Sequence, residues 1–172
     1  MSRLALVLAV GMPLTAAAAD APRAELSGGY SYARSGDESL NGWNGALDYS
    51  LGRSLGLEAS VSGHYGSELG TDVNLQSLFL GPRFAWRGDR LTPFVHALGG
   101  VVRSSAGIDV FDVSIRETDT DLGGALGAGI DVGVGRRWGI RLQGDYVLRR
   151  AASETESDPR ASVGLVYRAG QR

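Results

Sequence analysis

Two residue types are missing from this 172-residue chain: it has no Cys, and all 17 of its basic residues are Arg. Without Cys, an exported protein of this size is held together by packing and hydrogen bonding, because no disulfide can form. The absence of Lys reads as a bias of genome composition rather than a device of function. No stretch reaches the ~20 consecutive apolar residues of a transmembrane helix, so if this chain crosses a membrane, strands cross it. Histidine is reduced to His64 and His96. Metal sites want clustered His or carboxylates at ligand spacing, and neither occurs, so no metal, cofactor or catalytic residue is assigned. The formal net charge of −2 leaves no basic footprint for a nucleic-acid partner.

Met1-Ser2-Arg3 is a short positive end, Leu4 to Leu14 an apolar stretch too short to span a bilayer, and Ala17-Ala18-Ala19 a small-residue cleavage site. That is the pattern of a secretory signal peptide. The expected organisation is a cleaved leader over 1–19 and a single barrel domain over 20–172, with no linker or composition break inside it.

What the chain does have is 26 Gly, set mostly inside segments where apolar and polar side chains alternate. In the clearest segment Ile140, Leu142, Gly144, Tyr146 and Leu148 occupy one parity, and Arg141, Gln143, Asp145 and Arg149 the other. Successive side chains of a strand point to opposite faces, so this segment has one greasy and one charged face. A helix would scatter both sets around its axis. Glycine inside strands marks bulges, crowding and close backbone approach, which a barrel tolerates.

Eight such segments are legible: 24–34, 42–51, 55–65, 75–86, 92–103, 120–134, 139–150 and 160–169. Most match the ~9–11 residues of a tilted transmembrane strand. Connections at 52–54, 87–91 and 135–138 are tight, whereas those at 35–41, 66–74, 104–119 and 151–159 are longer and rich in Ser, Gly, Asp and Glu. Outer-membrane barrels have short periplasmic turns, longer outer loops and an even strand number. The expected fold is an all-β, eight-stranded antiparallel up-and-down transmembrane β-barrel.

In that order the aromatics fall into two girdles on the lipid-facing parity. Tyr30, Tyr32, Trp43 and Tyr65 lie at the outer end, and Phe84, Trp86, Trp138, Tyr167 and Tyr49 at the periplasmic end. Periodicity alone does not say which parity faces the lumen, since a soluble lipocalin-like barrel with its apolar face inward alternates identically. Loop lengths, aromatic depth and the heavily charged polar parity favour the inverted arrangement. An eight-stranded barrel is just wide enough for side chains to fill it, so its inward charges are expected to pair. The expected lumen network is Glu25, Asp48, Glu58, Arg83, Asp131, Arg141, Asp145, Arg149 and Arg168. Neighbouring strands suggest Glu58 with Arg83, Asp131 with Arg141, and Glu25 with Arg168 across the closing seam.

His96 lies on the inward parity and is expected to be a satisfied interior residue, whereas His64, near an outer strand end, is expected in solvent. Asp109, Asp112, Glu117, Asp119 and Asp121, with Glu154, Glu156 and Asp158, read as solvated outer charge, because their spacing is not that of an EF-hand loop. Arg34, Arg103 and Arg150 fall on the lipid-facing parity at outer strand ends. Their guanidinium groups suit lipopolysaccharide phosphates, or else they snorkel to water.

Leu91-Thr92-Pro93-Phe94-Val95-His96-Ala97-Leu98-Gly99-Gly100-Val101, followed by Gly139-Ile140-Arg141-Leu142-Gln143-Gly144-Asp145-Tyr146, resembles the small outer-membrane β-barrel family. That group includes the OmpA transmembrane domain, OmpX-like proteins and opacity-type barrels. Ser77-Leu78-Phe79-Leu80-Gly81-Pro82-Arg83 is similar too, and the resemblance covers essentially all of the chain after the leader. It implies delivery by the barrel-assembly machinery, which reads the last strand. Ser162, Gly164 and Tyr167 match that signal, while Ala169 stands where a terminal aromatic usually falls. The Ser two residues from a His found in lipid A deacylase barrels is missing at His96.

The function expected is a monomeric, non-enzymatic outer-membrane protein, structural or surface-interacting through its outer loops. Its partners would be outer-membrane lipid, lipopolysaccharide and an unidentified extracellular ligand. A narrow porin-like channel is the alternative, ahead of a lipid-modifying enzyme or a soluble ligand-binding barrel.

Overall fold

The computed structural model describes residues 22–35, 38–68, 71–110, 113–151 and 154–170. Side chains at 35, 38, 67–68, 71–73, 106–110, 113–118, 150–151 and 154–156 lie outside what it describes, as does the expected leader. Eight strands follow in chain order: β1 Ala24–Ser35, β2 Glu38–Ser50, β3 Leu55–Glu68, β4 Thr71–Ala85, β5 Leu91–Val110, β6 Val113–Gly133, β7 Trp138–Ala151 and β8 Glu154–Ala169. Each pairs antiparallel with its sequence neighbours, and β8 returns to β1 to close the barrel.

The two faces are inverted relative to a soluble barrel. Leu142 and Tyr146 are 49% and 62% exposed, whereas Asp145 between them is 4% exposed and inside. Leu26, Leu47, Leu78, Leu80, Leu126 and Leu165 join the outward set. So large a continuous apolar surface is unstable against water and matches hydrocarbon. The lipocalin-like alternative is thereby excluded.

Strand boundaries depart from the sequence reading mainly at the outer end. The stretches 35–41, 66–74, 104–119 and 151–159, expected as loops, are mostly strand. Pairing of β5 with β6 runs from Leu91↔Val132 to Val110↔Val113, and β3 with β4 continues to Glu68↔Thr71. Above the membrane neither face needs to be apolar, so the two-residue rhythm fades while the backbone ladder continues. By contrast β6 pairs with β7 only from Gly123↔Arg149 inward. The segment Val113–Leu122 therefore stands above the barrel with a partner on its β5 side and, among the described residues, none on its β7 side.

The β4 to β5 register skips from Leu80↔Gly99 to Arg83↔His96. Pro82 has no N–H to donate, which accounts for the interruption within an otherwise paired strand. Beside it, a Cβ on Gly81 would meet the Ala97 carbonyl oxygen at 2.2 Å and the Leu98 Cα at 2.9 Å, both backbone atoms that cannot move aside. A Cβ on Gly99 would meet nothing within 4 Å. Gly81→Val is accordingly expected to destabilise the barrel by about 3 kcal/mol, and Gly99→Val to be close to neutral. Urea unfolding in lipid vesicles, followed by heat-modifiable gel mobility, checks the contrast.

Candidate functional site: a packed lumen between two unlike rims

The lumen is stacked in layers along the barrel axis. At the outer end Ala33, Leu40, Leu75, Phe79, Leu98, Val102, Ala125 and Val147 form a buried apolar cluster. Sequence reasoning expected a polar interior throughout and missed this layer. The inward parity of β1, β2, β4, β5, β6 and β7 becomes apolar there, a signal masked by the equally apolar lipid-facing neighbours.

Below that cluster the charges crowd together. Arg83 reaches Glu25 at 2.9 Å, Asp48 at 2.8 Å and Asp131 at 2.9 Å. Arg141 binds Asp131 through Nε at 2.7 Å and Nη2 at 3.0 Å, and its Nη1 lies 3.1 Å from both Asp48 and the Ser27 hydroxyl. Both guanidinium groups also cover Phe94, at 4.0 and 4.8 Å from the ring centroid, where the negative face of the ring attracts them. In a low-dielectric interior such charges are tolerable only because each is paired and hydrogen-bonded several times.

Of the three expected pairs, the structure brings Asp131 and Arg141 into direct contact and sets Glu25 3.4 Å from Arg168. Glu58 lies 3.9 Å from the Arg83 Nε, a looser approach than its 3.0 Å contact with His96 Nδ1. The reason is that Arg83 is drawn across the lumen by Glu25, Asp48 and Asp131. His96 was not placed in the network from the sequence, yet its Nε2 also meets Asp145 at 2.9 Å. Two ring nitrogens facing two carboxylates suit the doubly protonated imidazolium, which donates to both. Asp145 further accepts from Arg160 at 2.7 Å and from Gln143. Arg149 is half-buried, within 3.3 Å of Asp158 and donating to Ser104 at 3.2 Å. Arg87, another residue the sequence reading passed over, bonds Glu25 and Ser50 from the tight-turn end.

His64, expected in solvent, is 2% exposed and bonded to the Ser31 hydroxyl at 2.9 Å. A Ser–His pair invites comparison with an activated nucleophile. Here, however, the space beside it, shared with Leu75, Val102 and Arg160, amounts to about 10 Å³, roughly one water molecule. A substrate has no room. Among the described residues no group of His, Asp or Glu could hold a metal ion. Of the outer acids, Asp119 is exposed, Asp121 half-buried and Asp158 buried. The side chains of Asp109, Glu117, Glu154 and Glu156, and residue Asp112 as a whole, fall outside the described residues.

On the membrane face Tyr30 stands opposite Trp43, and Asn41 lies between Tyr32 and Tyr65 in the register. The Tyr30 hydroxyl donates to Asn41, and the Tyr32 hydroxyl pairs with Ser39 at 2.7 Å. At the opposite end Phe84 meets Trp86 edge-on at 4.9 Å, and Trp138 meets Tyr167 at 5.0 Å. Tyr49, 55% exposed, stands opposite Ala24 and Leu57. Arg34 and Arg103 are exposed near the outer ends of β1 and in β5, and the Arg150 side chain lies outside the described residues.

The sequence profile of the outer membrane protein beta-barrel domain matches residues 3–168. Ail, the attachment invasion locus protein of Yersinia pestis, is similar in structure, with a TM-score of 0.64 at 20% identity, covering 87% of this chain and 99% of that one. Neisserial surface protein A gives 0.62 at 14% identity over 84% and 95% of the two chains. The N-terminal β-barrel domain of Pseudomonas aeruginosa OprF gives 0.57 at 17% identity over 86% and 98%. At these identities the likeness is one of fold. None of the curated proteins matches the sequence.

Removing Arg141 would leave buried Asp131 and Asp48 to share the single guanidinium of Arg83, which Glu25 also engages. Arg141→Ala is expected to cost about 3–5 kcal/mol, whereas Arg103→Ala at the exposed outer surface should stay within about 0.5 kcal/mol. Equal unfolding midpoints for the two variants would mean that the lumen charges do not support the barrel.

Proposed function

The chain belongs to the outer membrane protein β-barrel domain family, and from that premise we propose that it is a non-catalytic outer-membrane protein that captures extended polypeptide at the cell surface. The observation carrying this reading is the segment Val113–Leu122 of β6, paired with β5 beyond the last β6–β7 pair and, among the described residues, without a partner on its β7 side. A free strand edge offers a row of backbone donors and acceptors to an incoming strand. The outer stretches carry acids such as Glu38, Glu68, Asp72, Asp109, Glu117 and Glu156 against a single base, Arg116. A cationic extended segment therefore suits this edge. Ail, one of the proteins that resemble it in fold, is named for attachment in Yersinia pestis, which is compatible with a surface role. Another structure of Ail holds the heparin analogue sucrose octasulfate; the acidic outer stretches of the present chain argue against a polyanion here.

Against a pore stands the filling of the lumen by Phe79, Phe94, Arg83 and Arg141. Against catalysis stands the inaccessibility of Ser31 and His64. The barrel has no open edge inside the membrane that demands a neighbour, so a monomer suffices. Ser162, Gly164 and Tyr167 in β8 suit recognition by the barrel-assembly machinery.

Replacing 107–116 by a two-residue Asn-Gly turn shortens the raised hairpin and leaves the membrane part intact. Cells displaying this variant are expected to lose adhesion to an immobilised cationic polypeptide while the barrel keeps its heat-modifiable mobility. Undiminished adhesion would remove the edge-pairing reading.

Arg34 and Arg103, with Arg150, suit a second contact on the same leaflet, gripping lipopolysaccharide phosphates bidentately. The triple Ala variant is expected to retain less lipopolysaccharide on purification than its parent. Equal retention would reduce these residues to snorkelling side chains.

A further inference from the structure

Charge is divided unevenly between the two ends of the barrel. Opposite the acidic outer stretches, the three tight turns carry Arg53, Arg87, Arg90, Arg136 and Arg137 against one acid, Asp89. At the turn between β6 and β7 this charge adjoins an apolar hollow. Val134, Trp138, Gly139, Ile140 and Leu165 line a groove of about 370 Å³ on the membrane face. Arg136 and Arg137, both exposed, lie within the same turn. The turn is pinned: the Val134 and Gly135 N–H groups both donate to the Trp138 carbonyl, and Arg168 N–H donates to the Arg137 carbonyl at 2.7 Å. The backbone that carries both Arg residues is thus fixed beside the groove.

A second groove of about 540 Å³ lies over Ala128, Gly144 and Ala161, which stand side by side in the register of β6, β7 and β8. From Trp138 to Gly144 along β7 is ~20 Å at ~3.3 Å per residue. On a tilted strand that distance covers the ~15 Å half-thickness of the hydrocarbon core.

We propose that this face binds one anionic phospholipid of the periplasmic leaflet, with its phosphate held between Arg136 and Arg137 and an acyl chain laid along the grooves toward mid-membrane. Guanidinium groups pair well with phosphate oxygens, and the aromatic Trp138 sits at headgroup depth beside them. A soluble acidic polymer would meet the Arg pair but leave the apolar grooves unfilled. A second copy docking on this face about a two-fold axis would bring its own Arg136 and Arg137 against these, like charge on like.

The test uses full-length barrel carrying Trp43→Phe and Trp86→Phe, so that Trp138 is the sole indole. It is reconstituted in phosphatidylcholine vesicles in which one lipid in five is a brominated-chain phosphatidylglycerol or, separately, a brominated-chain phosphatidylcholine. Bromine quenches an indole it touches. The expected result is a relative association about fivefold higher for the anionic lipid, falling with added salt and abolished by Arg136→Gln with Arg137→Gln. Gly144→Leu, whose Cβ has ordinary clearance, fills the upper groove and should weaken association while sparing the fold, as gel mobility verifies. Equal quenching by the two lipids overturns the proposal, as does a preference that survives the double Gln variant. So does a cross-linked dimer whose formation shields Trp138 from both lipids.

Discussion

Inside hydrocarbon there is no water to satisfy a backbone N–H or C=O, so each must find a partner within the protein. Where the described residues hold no helix long and apolar enough to cross a membrane, the solution is a sheet closed on itself, here by the pairing of β8 with β1. Closure then dictates the rest. The outward parity must be greasy, the inward parity is sealed off from lipid, and with eight strands the lumen is too narrow to stay empty. The register gap beside Pro82 is a local exception, placed where the residue has no donor to lose.

Filling the narrow lumen with charge is workable because each guanidinium and the imidazole of the network lie against carboxylates, even though Asp48 Oδ1, Glu58 Oε1 and Arg83 Nε make no hydrogen bond. Arg83 on β4 meets Glu25 on β1 and Asp131 on β6, Arg141 on β7 reaches Asp48 on β2, and His96 on β5 bridges Glu58 on β3 and Asp145 on β7. These contacts cross the lumen and tie together strands that share no backbone ladder. The sheet gives each strand two neighbours; the side chains give it several more. An apolar cluster around Phe79 and Val102 caps this network on the outer side.

The two ends answer to different surroundings. At the tight-turn end, compact turns keep Arg residues close to the girdle of Trp86, Trp138 and Tyr167, at the depth of lipid headgroups. At the outer end the strands outrun the membrane, most of all β5 and β6, and the acidic stretches there lean away from polyanions. A barrel with a packed lumen has only its rims and its lipid-facing wall with which to act. The proposed surface capture at one rim and the proposed lipid binding near the other would use those separate parts without interfering.

The two-residue alternation was enough to determine the strand number and the two unlike faces of each strand, because each strand passes once through the same apolar layer and records it in its side chains; aromatic depth and the charge of one parity were needed to say which face turns inward. Adjacent ion pairs such as Asp131 with Arg141 were legible for the same reason, since antiparallel neighbours stand opposite each other. The reach of Arg83 to Glu25, the engagement of His96, the burial of His64 with Ser31 and the true length of β5 and β6 were not. Contacts across a lumen depend on how the closed sheet curves and staggers, which no local pattern records, and beyond the membrane nothing imposes a rhythm on the sequence. Those features were decided only when the eight strands came together.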